Sequence, residues 1–238
     1  MPYSVNTITA KYYRTEASSK KVIIDNYNSE CKATCTTPRW DLLHASPHEP
    51  LAIDIEFQEA KHKDAVKWSH RIGRIALVNT RGDTILDVYT QYPPHVDVAV
   101  KLPPEKFGVS WKDLQPENGA KPSAEVEEWL REILKDRLIV GSGMRLDLIA
   151  VGDVLQDNHA SFDCQHHYGV VNLPQLAQDN LDETFDWHDP VDDARIAMLL
   201  YLKVHPYEGR DSFKDPPYQH VADNFPSLGS AMGMKDKK

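Results

Sequence analysis

The sequence predicts a mixed α/β fold, with a central sheet of antiparallel and parallel strands flanked by helices. Three observations carry this reading. Apolar and polar residues alternate at the two-residue period of a strand from Leu51 to Gln58. Two further apolar stretches, Ile72 to Val78 and Thr84 to Tyr89, flank the turn-rich Asn79-Thr80-Arg81-Gly82-Asp83 and complete an antiparallel meander. Downstream, helical spacing alternates with a short buried strand, an order that calls for helices on the faces of a sheet.

Taken in chain order, residues 1–48 are mixed, with short apolar runs such as Val22-Ile23-Ile24 and no sustained period. They are expected to form an N-terminal extension packed on, or flanking, a domain over residues 49–205. In the first strand, Ile53, Ile55 and Phe57 enter an apolar face while Asp54 and Glu56 leave the other. A loop marked by Pro93, Pro94, Pro103, Pro104 and Pro116 follows the meander. Ser123 is then expected to cap a helix whose Val126, Trp129, Leu130, Ile133 and Leu134 make one buried stripe. Leu138-Ile139-Val140 reads as a short buried strand, Met144 to Leu155 as a second helix, and Leu173, Leu176 and Ala177 as part of a third. The last helix opens with Asp189 as cap and Pro190 in its first position, and runs to about Val204. Residues 206–238, rich in Pro, Asp, Gly and Lys, are expected to be a peripheral or disordered tail.

Bulk properties narrow the function. The chain has 238 residues, 41% hydrophobic and 26% charged, enough for a core that needs no staple. No apolar run reaches membrane-spanning length, and residues 1–21 lack the apolar segment of a secretory signal. Three cysteines (Cys31, Cys35, Cys164) make no disulfide framework, so a reducing compartment is expected. The expected location is intracellular, nuclear or cytoplasmic, with a mitochondrial one left open. A formal charge of −9 argues against broad duplex wrapping, which draws on a basic face, more than against narrow strand-end chemistry.

Three groups of residues carry candidate chemistry. Asp54 and Glu56 share one strand face, where two close carboxylates repel unless a divalent cation compensates them, and such hard oxygen ligands suit Mg²⁺ or Mn²⁺. A solvated sheet face is the plain alternative. Asp147 follows the glycines of Val140-Gly141-Ser142-Gly143 near the start of a helix, either over a strand edge or simply favoured by the helix dipole. His188 lies on a loop beside the helix-borne Asp193, a pairing suited to proton abstraction beside a metal, or else part of a capping cluster.

Together, the order Asp-x-Glu, Asp, His-x4-Asp resembles the DEDDh family of 3′→5′ exonucleases over about residues 49–204. Leu51 to Phe57 looks like its first motif, Gly108 to Leu114 like the segment after the meander, Val140 to Leu148 like the second, and His188 to Tyr201 like the third. The string His188-Asp189-Pro190-Val191-Asp192-Asp193-Ala194-Arg195 is especially similar to that of Rex-type RNA exonucleases and the Pan2 catalytic domain. The resemblance implies an RNase H-like fold and an enzyme acting on single-stranded RNA 3′ ends, with single-stranded DNA also open. It further implies two Mg²⁺ or Mn²⁺ ions. Asp54 would bridge both, Glu56 and Asp193 would complete the first, Asp147 would support the second, and His188 would be the general base. The second motif departs from the family pattern at Ser142 and Leu146, which implies altered substrate contacts. A poly(A)-selective deadenylase and a non-catalytic RNA- or protein-binding module on the same fold are the competing readings.

The segment from Lys61 to Arg74 holds Lys61, Lys63, Lys67, Arg71 and Arg74 against one acid, Asp64. It reads as a basic loop between the first two strands, a solvated one or one that receives phosphates, with Trp68 available to stack on a base. Phe57, Lys63, Lys67, Trp68 and Ser142 are therefore the candidate substrate contacts. Cys31, Cys35, His44 and His48 invite a zinc reading, although their spacing is short for a finger and Pro47 interrupts it.

Overall fold

The computed structural model describes residues 33–101, 109–152, 154–155, 159–183 and 189–206. A mixed sheet runs through them, in the order β5-β3-β2-β1-β6-β7, with a short β4 also paired to β1. The predicted meander is β1 (Leu51–His62), β2 (Ser69–Val78) and β3 (Thr84–Gln91), all antiparallel. The predicted buried strand is β6 (Ile139–Gly141), parallel to β1. Three short strands complete the sheet: β4 (Val98–Val100), β5 (Lys121–Pro122) and β7 (Ser161–Asp163). At two or three residues each, they are too brief to show a period in the sequence.

The helices are α1 (Trp40–Ala45), α2 (Ser123–Ile133), α3 (Arg145–Ala150), α4 (Cys164–Tyr168), α5 (Leu173–Leu181) and α6 (Pro190–Val204). The α6 cap is as expected: the Asp189 side chain accepts from the Val191 N–H, and Pro190 occupies the first turn, where its missing N–H costs nothing. Ser123 is not a cap. It is the first residue of α2 and is buried, and Pro122, held in β5 against Gln91, takes the cap position. The second predicted helix is also shorter. It ends at Ala150, where the Val151 N–H bonds back to the Asp147 and Ile149 carbonyls.

Two apolar layers sandwich the sheet. Leu51, Ile53, Ile55 and Phe57 of β1 pack with Val126, Leu130 and Ile133 of α2 and with Leu43 of α1. Ala52, Ala76, Val78 and Val140 face the other way, against Leu176 of α5 and Ala194, Ala197 and Tyr201 of α6. Residues ahead of Leu51 join the first layer. The Arg39 N–H bonds the Ile85 carbonyl, and Arg137 donates to the carbonyls of Leu43, Ser46 and Glu49.

The basic segment is not one loop. β1 continues to His62 and β2 begins at Ser69, so only residues 63–68 form the turn of a long hairpin arm. Arg71 and Arg74 lie within β2. The arm's base carries a bulge: Glu56 pairs with Arg74 but Phe57 with Ile72, leaving Gly73 as the extra residue. A Cβ at Gly73 would sit 2.8 Å from the Glu56 carbonyl oxygen and 3.1 Å from Val109, so only glycine permits this approach.

Candidate active site

The α6 face of β1 presents Asp54 and then Glu56, where the period of the strand required them. α6 crosses this face with small residues, Ala194 and Ala197, so its first turn comes down close to the sheet. Asp193 in that turn joins the strand pair: one carboxylate oxygen from each of Asp54, Glu56 and Asp193 lies within 4.8 Å of the other two. Glu56 and Asp193 are buried at 7% and 6% exposure, while Asp54 keeps a partial opening to solvent.

Asp147 arrives from the sheet edge. β1 pairs with β6 only at Leu51 and Ala52, and with β4 only from Ala60 to His62. Between them no strand among the described residues covers that edge, and the Ile55 amide favours the charged Asp147 carboxylate there. The turn that delivers Asp147 is built from glycine and a distant acid. Gly143 has φ +69, and a Cβ at Gly141 would lie 2.6 Å from the Met144 side chain. Asp163, at the end of β7, accepts from the N–H groups of Gly143, Met144 and Gln165, each at 2.9 Å. This role of Asp163 is not legible in the sequence, because two of its partners lie about twenty residues upstream and the third two residues on.

Arg74, expected in the basic loop, lies within β2 instead. It is a buried brace, not a surface charge. It donates to both carboxylate oxygens of Asp87 at 2.7 and 3.0 Å and reaches Asp189, the α6 cap, at 3.4 Å. This ties the N-terminus of α6, four residues before Asp193, to the strand opposite Glu56. Arg195 adds a second tie through the Gly82 carbonyl and Thr84 hydroxyl.

The electrostatics follow from burial and crowding. Desolvation first, then Asp193, Asp147 and Glu56, push the Asp54 carboxyl well above its usual range. Glu56 is raised by the same desolvation and by Asp193, with Arg74 opposing. Burial lifts Asp147 to about 7. Three carboxylates thus converge, with Asp147 near enough to raise two of them, while the Arg74 guanidinium is already committed to Asp87 and Asp189. The donor set is all oxygen, convergent and short of positive charge, which fits a hard divalent cation such as Mg²⁺ or Mn²⁺.

Other predicted residues stand elsewhere. Phe57 belongs to the opposite apolar layer, 8% exposed and tilted against His70 at 5.2 Å. Ser142 lies just past β6 with its hydroxyl buried. Lys63, Lys67 and Trp68 are at the tip of the hairpin arm. Eight residue steps along β1 lead from Asp54 to His62, which at ~3.3 Å each puts the tip roughly 26 Å away. There Lys63 pairs with Asp97 at 2.7 Å, and Lys101 lies over the Trp68 ring. His188 lies outside the described residues, as does Cys31. Among the described residues, Cys35, His44 and His48 do not gather into a metal site: His44 stacks on Trp40, and the Cys35 thiol contacts the carbonyls of Thr37 and Ile85.

Comparison with known proteins agrees with this architecture. No family model matches the chain. It is 26% identical over 169 residues to RNA exonuclease 4 of Candida glabrata, an alignment covering 63% of this chain and 58% of that protein. The chain therefore spans little more than half of that relative's length. Its structure resembles the Saccharomyces cerevisiae Pan2 pseudoubiquitin hydrolase–RNA exonuclease module in complex with AAGGA RNA. The TM-score is 0.55 at 20% identity, over 75% of this chain and 32% of that chain. The Neurospora crassa Pan2 catalytic unit gives 0.53 at 19%, over 82% and 33%. At these identities the structural likeness is one of fold. The sequence likeness to RNA exonuclease 4 and the fold likeness to the Pan2 structures both accord with the resemblance of the ordered acidic motifs to those of DEDDh exonucleases.

Proposed function

We propose that this chain is a divalent-metal-dependent exonuclease that removes nucleotides from the 3′ end of RNA as nucleoside 5′-monophosphates. The observation that carries the reading is the convergence of Asp54, Glu56 and Asp193 on one point of a buried face, with Asp147 beside them. Asp54, Glu56 and Asp193 would hold one ion, with Asp54 and Asp147 supporting a second. Bound there, divalent ions supply Lewis acidity to the attacking and leaving oxygens of an in-line displacement.

The remaining chemistry belongs to the chain. Water attacks the terminal phosphodiester, and the bond from phosphorus to the 3′ oxygen of the penultimate nucleotide breaks. The attacking water loses its proton to His188, which directly precedes the α6 cap Asp189, and the departing 3′ oxygen gains one. A neutral imidazole, with a pKa near the working pH, suits the role of base. Arg74, through Asp189, fixes the start of α6 and hence the position of Asp193.

The test is a time course in Mg²⁺ or Mn²⁺ on RNA labelled at either end, on poly(A) and on single-stranded DNA. A ladder shortening from the 3′ end of RNA, absent in chelator and in Asp54→Asn, is expected. Shortening confined to poly(A) would make the enzyme a deadenylase. Internal cuts, 5′ trimming or turnover unaffected by chelator would remove the proposal, and RNA binding without any turnover would leave a non-catalytic module.

A further inference from the structure

A second concavity lies on the same face of β1 as the acidic cluster. Gln58 is the next residue after Asp54 and Glu56 to point to that side, and at a strand rise of ~3.3 Å its Cα is roughly 7 Å beyond that of Glu56. Here the hairpin arm, the chain after β3 and the segment carrying Trp111 and Gln115 enclose a crevice of about 320 Å³. Among the described residues that line it none is acidic, in a chain of formal charge −9.

The lining is of three kinds. Arg71 supplies charge. Its Nε donates to Gln58 Oε1, and its guanidinium lies 4.1 Å from the centroid of the Tyr92 ring. Among the described residues no carboxylate is within ion-pair distance of Arg71, and Glu127, which shares a smaller neighbouring crevice with it, pairs instead with Arg131. Burial disfavours the Arg71 charge, so an anion entering the crevice would be strongly attracted. Trp111, 46% exposed, supplies a flat apolar wall. Gln58, Gln91 and Gln115 supply amide donors and acceptors.

A guanidinium for a phosphate, an indole for a ring face and amides for ring edges together describe a nucleotide. We propose that this crevice binds one nucleotide, its base against Trp111 and its phosphate on Arg71. The occupant is either a residue of the RNA strand whose 3′ end reaches the acidic cluster or a free nucleoside monophosphate. Only the first of these rests on the exonuclease reading.

Binding is measured on the full chain in chelator, where turnover is off. Labelled oligoribonucleotide, nucleoside 5′-monophosphate and ribose 5-phosphate are used as separate probes. Arg71→Gln and Trp111→Ala should each weaken nucleotide binding by about tenfold, within the range of base–aromatic stacking, while Trp111→Phe keeps most of it. Arg71→Gln should also reduce the slope of log affinity against log salt by ~0.7 for the oligonucleotide. Circular dichroism and thermal midpoints check that the variants fold. Much tighter binding of the oligonucleotide than of the monophosphate identifies a strand residue as occupant, and equal affinity identifies the free nucleotide. The proposal is overturned if wild type binds no nucleotide, if ribose 5-phosphate binds as well as the nucleotide, or if both folded variants bind like wild type. Metal-dependent hydrolysis with unaltered variant binding removes the crevice alone, whereas variant-sensitive binding without hydrolysis removes the exonuclease alone.

Discussion

Replacing Asp147 with Asn should make the metal-free protein more stable at neutral pH. The carboxyl is 8% exposed, and burial raises it from an ordinary 3.8 to about 7 in the folded chain. A folded-state pKa above the unfolded one means that the native state holds the extra proton between those two values. Stability therefore falls as pH rises through that window and levels off above it. At about 1.4 kcal/mol for each pH step, the gap corresponds to on the order of 4 kcal/mol. Asn imitates the protonated acid and does not titrate, so Asp147→Asn should match wild type near pH 4 and exceed it above pH 7. At ~2–4 °C per kcal/mol for a domain of this size, the midpoints should separate by roughly 8–16 °C. The assay is thermal unfolding in chelator from pH 4 to 8, repeated with Mg²⁺ or Mn²⁺. Added metal should raise the wild-type midpoint at neutral pH more than that of the variant, because it offsets the charge that burial opposes. Parallel pH profiles for the two proteins in chelator would refute the electrostatic account of the site.

Three further outcomes follow from the supports of the cluster. Arg74→Met leaves the fully buried Asp87 carboxylate without its guanidinium, holding only the Thr34 amide and hydroxyl, and should cost about 3–5 kcal/mol in denaturant unfolding, partly recovered when Asp87→Asn is added, which removes the charge and still accepts from Thr34. Gly73→Ala pushes a methyl onto the Glu56 carbonyl; it should cost about 1–3 kcal/mol as an overpacked site and raise the metal concentration needed for half-maximal turnover in the proposed exonuclease assay. An unchanged metal requirement there would mean that the bulge does not position Glu56. Asp163→Ala leaves three N–H groups without their acceptor, should cost about 1–3 kcal/mol, and should weaken the Mg²⁺-induced rise in midpoint; Asp163→Asn should keep part of that rise.

Much of this architecture follows from local rules. The two-residue period of Leu51 to Gln58 put Asp54 and Glu56 on one face and Ile53 and Ile55 on the other, and the sheet agrees. Asp189-Pro190 marked the start of α6, and the turn-rich Asn79 to Asp83 marked the β2–β3 reversal. Each of these signals is read within a few residues, since strand alternation, capping and turn chemistry depend on neighbours in the chain. Where a longer-range partner intervened, the local reading failed. Ser123 yielded the cap to Pro122 because β5 pairs with β3, and the basic segment became strand because hydrogen bonding across the hairpin extended both β1 and β2.

The sequence by itself determined which acids exist, their order, and that the first two share a side. Only the tertiary structure decided that Asp193 descends on them, that Asp147 fills a gap in sheet pairing beside Ile55, and that Arg74 braces α6. It also separated the hairpin tip from the acidic cluster and opened the Arg71–Trp111 crevice. The physical reason is that these features depend on sheet register and on side-chain bonds between residues far apart in the chain, for which periodicity carries no information.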